Sequence, residues 1–199
     1  MSTGKTLGIL IFDEVEVLDF CGPFEVFSVA NRLMEKPALQ VMIVAEKSRP
    51  IGARGGLSVN PHCRINDCPP LDILLIPGGQ GARTEMHNGV VLDWVKEKAA
   101  KAELLLSVCT GSLILAKAGL LDGKEATTHH AAIDLLKENA PKTTVHGGCI
   151  FVESGNIISS AGISSGIDMS LHVVAKLYGN DLARKTADQM EFPWEPAGE

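Results

Sequence analysis

The stretch Leu104-Leu105-Leu106-Ser107-Val108-Cys109-Thr110-Gly111-Ser112 limits what this chain can fold into more than any other: an apolar run stops at a cysteine and restarts with helix-forming residues. An apolar run without polar alternation reads as a strand buried on both faces, as in a parallel sheet. Small residues after Cys109 permit a tight turn. The helix expected over 110–118, ended by Gly119, turns its unpaired N–H groups toward the sulfur. Such a strand–turn–helix elbow lifts a nucleophile out of the sheet, and the helix start predicts a depressed thiol pKa. The simpler reading is a small apolar cysteine that fills the strand end.

The same alternation recurs along the chain. Strands are expected over 6–12 (TLGILIF), 40–45 (QVMIVA) and 72–76 (DILLI). Helices are expected from Phe20, with Phe24, Phe27 and Met34 at helical intervals and Pro23 in the first turn, and over 90–102 and 131–139. The Gly-rich segment 50–62 reads as a turn or hairpin. Segments 149–152 and 157–160 flank Glu153-Ser154-Gly155-Asn156 as a second hairpin. A last helix carries Ile163, Ile167, Leu171, Val174 and Tyr178 on one stripe. Strands alternating with helices imply an α/β fold with helices on both faces of a parallel sheet. With 199 residues and no linker or repeat, 1–199 is expected to form one domain.

Composition removes several function classes. A net charge of -6, a pI near 5.5 and the lack of a basic run disfavour nucleic acid as a partner. No apolar run reaches membrane-spanning length and no cleavable leader is visible, so a cytoplasmic protein is expected. The five cysteines lack a CxxC pair and the six histidines lack HxxxH or HExxH spacing, so free thiols and no metal are expected.

Three further segments are candidates for a site. Pro77-Gly78-Gly79-Gln80-Gly81 follows a strand at the edge where α/β sheets bind ligands, and Gly78 and Gly79 are candidates to meet developing negative charge with backbone N–H groups. A plain turn explains them equally. Asp19, before a helix, is either an N-cap or a carboxyl kept protonated in an apolar loop to act as general acid beside a thiol. His129 and His130 follow Ala126-Thr127-Thr128 at a strand end, as a base or polar wall or as an exposed pair. His62, His87, His146 and His172 read as surface residues.

Taken together, SVCTGS, IPGGQG, LDFCGPFEVF and AGISSGID resemble, in order and over nearly the whole chain, the ThiJ/PfpI superfamily. That resemblance implies a flavodoxin-like three-layer sandwich, related to class I glutamine amidotransferases, with a mostly parallel central sheet, a nucleophile elbow at Cys109 and a homodimeric assembly. Asp19 with Gly22-Pro23, PPLD, SVCTGSL, GLLDGKEATTHH and GISSGID are most similar to the isocyanide hydratase branch. By that resemblance Cys109 attacks the terminal carbon of a small-molecule isocyanide and Asp19 exchanges the proton. Water then opens the thioimidate to an N-substituted formamide, and Thr110 completes the site. No cofactor is implied. His130, which stands where the hydratases carry a tryptophan, joins Gly78 and Gly79 as a substrate-contact candidate.

The rival from a different class is a ligand or cysteine-redox sensor, because the resemblance extends to the sensor halves of AraC-type regulators; a stand-alone sensor without a DNA-binding domain is the form expected. Peptidase and amidotransferase readings want a histidine base that the residues around Thr110 and after His172 do not supply. Glyoxalase or deglycase members carry glutamate where Asp19 stands.

Overall fold

Every apolar run that reads as a doubly buried strand lies inside one sheet. A computed structural model describes residues 4–196. In chain order the elements are β1 (Lys5–Ile11), α1 (Val17–Leu33), β2 (Leu39–Ala45), β3 (Ile51–Gly52), β4 (Ser58–Val59), β5 (Cys63–Arg64), β6 (Ile73–Ile76), α2 (Ala82–Glu85) and α3 (Gly89–Ala99). There follow β7 (Leu104–Val108), α4 (Gly111–Lys117), β8 (Glu125–Ala126), α5 (Ile133–Asn139), β9 (Thr144–Val145), β10 (Phe151–Ser154), β11 (Ile157–Ser160), α6 (Ser165–Tyr178) and α7 (Asn180–Gln189).

The main sheet runs β10-β11-β7-β6-β1-β2-β5, and all its pairings are parallel except β10 with β11. β6 and β7 are buried at every residue, which explains their lack of polar alternation. Helices α1, α6 and α7 pack together as one layer, and α2, α3 and α5 gather around α4 as the other. This is the three-layer flavodoxin-like sandwich.

Several boundaries differ from expectation for local reasons. Helix α1 starts at Val17, three residues before Phe20, with Glu16 at its N-cap, so Pro23 lies inside it. That proline withdraws the N–H that would otherwise bond the Asp19 carbonyl. The hairpin turn is tighter than expected: β10 continues to Ser154, and positive φ at Gly155 (67°) closes the turn with Asn156. Ile163 precedes α6 and is 37% exposed, outside the core stripe. Helix α7 lies outside the sequence expectation, because its buried face consists of the small residues Ala183, Thr186 and Ala187 rather than large apolar ones. Segment 50–62 does form a hairpin, β3 against β4.

Since β1, β6, β7 and β11 are mutually parallel neighbours, their carboxyl ends open on one edge. The chain runs from β1 outward to β2 and then returns to β6 on the other side, so the β1/β6 boundary is a topological switch point. The α1–β2 connection is held by Asn31, whose Oδ1 accepts from the N–H groups of Ala38 (3.0 Å) and Leu39 (2.9 Å). Asn31→Ala strands both donors, one of them on the buried Leu39. A loss of about 1–3 kcal/mol is expected, read as a lower urea midpoint with an unchanged slope.

Candidate active site

Cys109 ends β7 with φ of 54°, in the left-handed region, where a non-glycine residue is held only by its surroundings. Its N–H donates to the carbonyls of Ser160 (3.1 Å) and Ala161 (3.2 Å). Its own carbonyl accepts from Thr128 Oγ1 (2.9 Å) and Ser112 Oγ (3.2 Å). Gly111 completes the elbow: a Cβ there would lie 2.1 Å from the Ile76 carbonyl oxygen, so no other residue lets α4 leave β7 so close to β6.

The β6 loop lies against this elbow. Gly78 N–H donates to Asp19 Oδ2 at 3.0 Å, and Gly79 N–H donates to Thr110 Oγ1 at 3.0 Å. The Thr110 hydroxyl has one proton, which either donates to the Gly79 carbonyl (3.1 Å) or supports the Cys109 sulfur. A Cβ on Gly78 would collide with Thr110 N (2.5 Å) and Oγ1 (2.6 Å) and crowd Asp19 Oδ2 (3.0 Å). Gly79 has φ of 119° and bridges to Val15 of the β1–α1 loop. The structure thus brings Cys109, Asp19, Thr110, Gly78 and Gly79 together, although both N–H groups expected to meet developing charge are already engaged, that of Gly78 by the carboxyl and that of Gly79 by the Thr110 hydroxyl.

Asp19 is fully buried in the first turn of α1 and is not its N-cap. Its Oδ1 has no hydrogen-bond partner among the described nitrogen and oxygen atoms, and the Cys109 thiol is the polar group facing the carboxyl. Burial pushes this carboxyl up to about 7, against the Gly78 N–H, with Glu16 adding to the rise. Burial and the adjacent Asp19 carboxylate push the Cys109 thiol up to about 12, against the Thr110 N–H and hydroxyl. This corrects the depressed thiol expected from the helix start: that contribution is present but smaller than desolvation. The carboxyl therefore gives up its proton near neutrality while the thiol keeps its own, and the two titrate as a coupled pair.

The cleft over the sulfur has a volume of about 190 Å³, below the range of drug-sized pockets. Its charged and histidine lining is Glu16, Arg54, Arg83 and His129, with Ile163 at the rim. His129, rather than His130, forms the polar wall. A Cβ on Gly162 would meet both His129 Cδ2 (2.5 Å) and Cys109 Sγ (3.0 Å), so imidazole and sulfur flank one point. His129 Nδ1 accepts from Ala131 N–H (3.2 Å), which turns the ring inward and leaves Nε2–H as the donor in the neutral form. Burial lowers the His129 pKa, with His130 and Arg83 lowering it further. His130 is exposed and stacks on His129 with ring centroids 4.2 Å apart. Gly162 and Arg83 carry no role in the sequence reading, although AGISSGID and the residues after PGGQG hold them, while His129 is one of its two candidates for the polar wall.

The other histidines lie elsewhere: His62 Nδ1 accepts from Ile43 N–H, and His146 and His172 pair with Glu125 and Glu153. Among the described residues no group of three or more His, Cys, Asp or Glu side chains is placed to hold a metal, and no helix is long and apolar enough to cross a membrane.

The model of the DJ-1/PfpI family matches residues 5–176, so the chain belongs to that family. It is 38% identical over 193 residues to the isonitrile hydratase of Pseudomonas putida, covering 96% of this chain and 79% of that protein. It is 30% identical over 180 residues to the HTH-type transcriptional regulator CdhR of Pseudomonas aeruginosa, covering 90% of this chain and 53% of the regulator. The chain thus spans about half the length of that relative. The crystal structure of a ThiJ/PfpI family protein from Pseudomonas syringae superposes with a TM-score of 0.87 at 30% identity, covering 98% of this chain and 77% of that one.

The raised carboxyl has a measurable signature. A buried acid whose pKa rises on folding costs nothing below its ordinary value of 3.8 and accrues its penalty as pH rises to about 7. At about pH 8 Asp19→Asn should therefore be more stable than wild type by on the order of 4 kcal/mol, since each tenfold change in the acid's dissociation constant is worth about 1.4 kcal/mol. The advantage should vanish toward about pH 3. Urea titrations across this window check it, and a gap independent of pH would show that the carboxyl is not held away from water.

Proposed function

We propose that this chain hydrates isocyanides to N-substituted formamides through a Cys109 thioimidate. The observation that carries the reading is the buried thiol–carboxyl pair, a proton acceptor beside a nucleophile, in a chain similar to an isonitrile hydratase. An isocyanide carbon must gain a nucleophile and a proton, and this pair supplies both without a metal or cofactor.

In the singly protonated pair the thiol proton passes to the Asp19 carboxylate and the sulfur attacks the terminal carbon. Asp19 then returns the proton to that carbon, giving R–N=CH–S–Cys109. Water adds to the same carbon as Asp19 takes one of its protons and passes it to the imine nitrogen, giving R–NH–CH(OH)–S–Cys109. The C–S bond then breaks, the hydroxyl proton goes to the departing sulfur through Asp19, and R–NH–CHO leaves as the thiol and the carboxylate are regenerated. Thr110 supports the sulfur, Gly78 orients the carboxyl, and His129 is a neutral polar wall. The enzyme is taken to act as a cytoplasmic homodimer.

Formamide production from a panel of isocyanides tests this, with methylglyoxal and a chromogenic peptide as controls. Cys109→Ser should abolish turnover. Asp19→Asn should lower it about a hundred to ten-thousand-fold, and Thr110→Val by less. The wild-type rate should rise with pH through about 7, where the pair loses its first proton. Hydration that survives in Asp19→Asn would assign the proton to another group.

The similarity to CdhR favours a second reading, a ligand or redox sensor. If no isocyanide is hydrated while Cys109 oxidises readily to a sulfinate, that reading replaces the first.

A further inference from the structure

The cleft over Cys109 has an uneven charge balance. Glu16 and Arg54 line it as a pair, with Arg54 Nε 3.7 Å from Glu16 Oε2, and Arg54 Nη1 also lies 3.7 Å from Glu14 Oε2. His129 is kept neutral by burial and by its cationic neighbour. Arg83 is half-buried on the same cleft and has no hydrogen bond or ion pair from its guanidinium among the described residues. It is therefore the one charged group on the lining, among the described residues, without an opposite charge in contact.

Its position comes from the same loop that builds the site. Arg83 N–H donates to the Gln80 carbonyl (3.2 Å), so the turn that sets Gly78 against Asp19 and Gly79 against Thr110 also delivers Arg83 to the rim. A guanidinium binds a carboxylate through two parallel N–H···O bonds, and an unpaired one beside a reacting centre favours a substrate that brings the missing charge. The cleft's 190 Å³ leaves room for only a small molecule between the sulfur and the arginine.

We propose that Arg83 is a specificity residue that binds a carboxylate on the substrate, making the preferred substrate a short isocyanide that carries a carboxylate near the isocyanide carbon. This rests on the hydratase reading.

The test compares isocyanoacetate with isobutyl isocyanide, which replaces the carboxylate by a neutral group of similar size. Wild type should hydrate isocyanoacetate with at least tenfold higher kcat/KM. Arg83→Gln should lower the ratio of the two kcat/KM values ten- to a hundredfold, mainly through KM for the anion, and Arg83→Lys should restore part of it. A wild-type preference for the neutral compound, or a ratio unmoved by Arg83→Gln, overturns the proposal. A second arm needs no turnover: N-formylglycine, the product acid, should bind wild type by calorimetry and weaken at least tenfold in Arg83→Gln. If wild type hydrates neither isocyanide yet binds N-formylglycine through Arg83, the anion subsite stands and the hydratase reading falls. If N-formylglycine binding is absent or independent of Arg83, the anion subsite is wrong whatever the enzyme hydrates.

Discussion

The hydrogen bond from the Gly78 N–H to the Asp19 carboxyl links two segments 59 residues apart, and the candidate site depends on it. It closes the β1/β6 boundary and fixes one carboxyl oxygen of a side chain that lies beside the Cys109 thiol. Without a donor from the β6 loop, the carboxyl would be buried with neither oxygen satisfied, a state that costs about 1–3 kcal/mol more, and more again when it is charged. The glycines follow from the same contact. A side chain at position 78 would enter the space where Thr110 and Asp19 meet, and one at 79 would strike the backbone of Glu14 and Glu16.

Geometry and electrostatics here act in opposite directions. The elbow directs the Thr110 N–H toward the sulfur, which favours thiolate, while burial and the Asp19 carboxylate favour the thiol. The outcome is a protonated thiol beside a carboxyl that can take its proton. Such a pair suits an addition in which one atom of the substrate must accept a nucleophile and a proton, because the donor of the proton and the source of the electrons are already in contact.

The layer order and the elbow were legible in the sequence because both are local. Leu104 to Val108 lacks alternation since both its faces are covered, and the small residues that follow Cys109 announce the turn. The thiol pKa was not legible, because it is set first by the burial of the sulfur, which only the assembled sheet creates, and then by a carboxyl 90 positions away. Which of His129 and His130 faces the cleft turns on one backbone hydrogen bond to Ala131, a detail that two adjacent identical residues cannot reveal. Arg83 escaped for a related reason: an arginine after a glycine loop is an ordinary surface residue until the cleft beside it is seen. The shift of α1 to Val17 has a similar origin, since the turn before it is closed by contacts with Gly78 and Gly79 rather than by a cap residue.

The left-handed backbone of Cys109 means that this position is better suited to a residue without a Cβ than to the one it holds. A glycine there would relax the elbow, and a neutral side chain at position 19 would relieve the buried charge. The two residues that define the candidate chemistry are thus the two that the fold, left to itself, would replace. Stability and reactivity are in tension at this edge of the sheet, and the surplus that sustains both residues is supplied by the fully buried strands β6 and β7 beneath them.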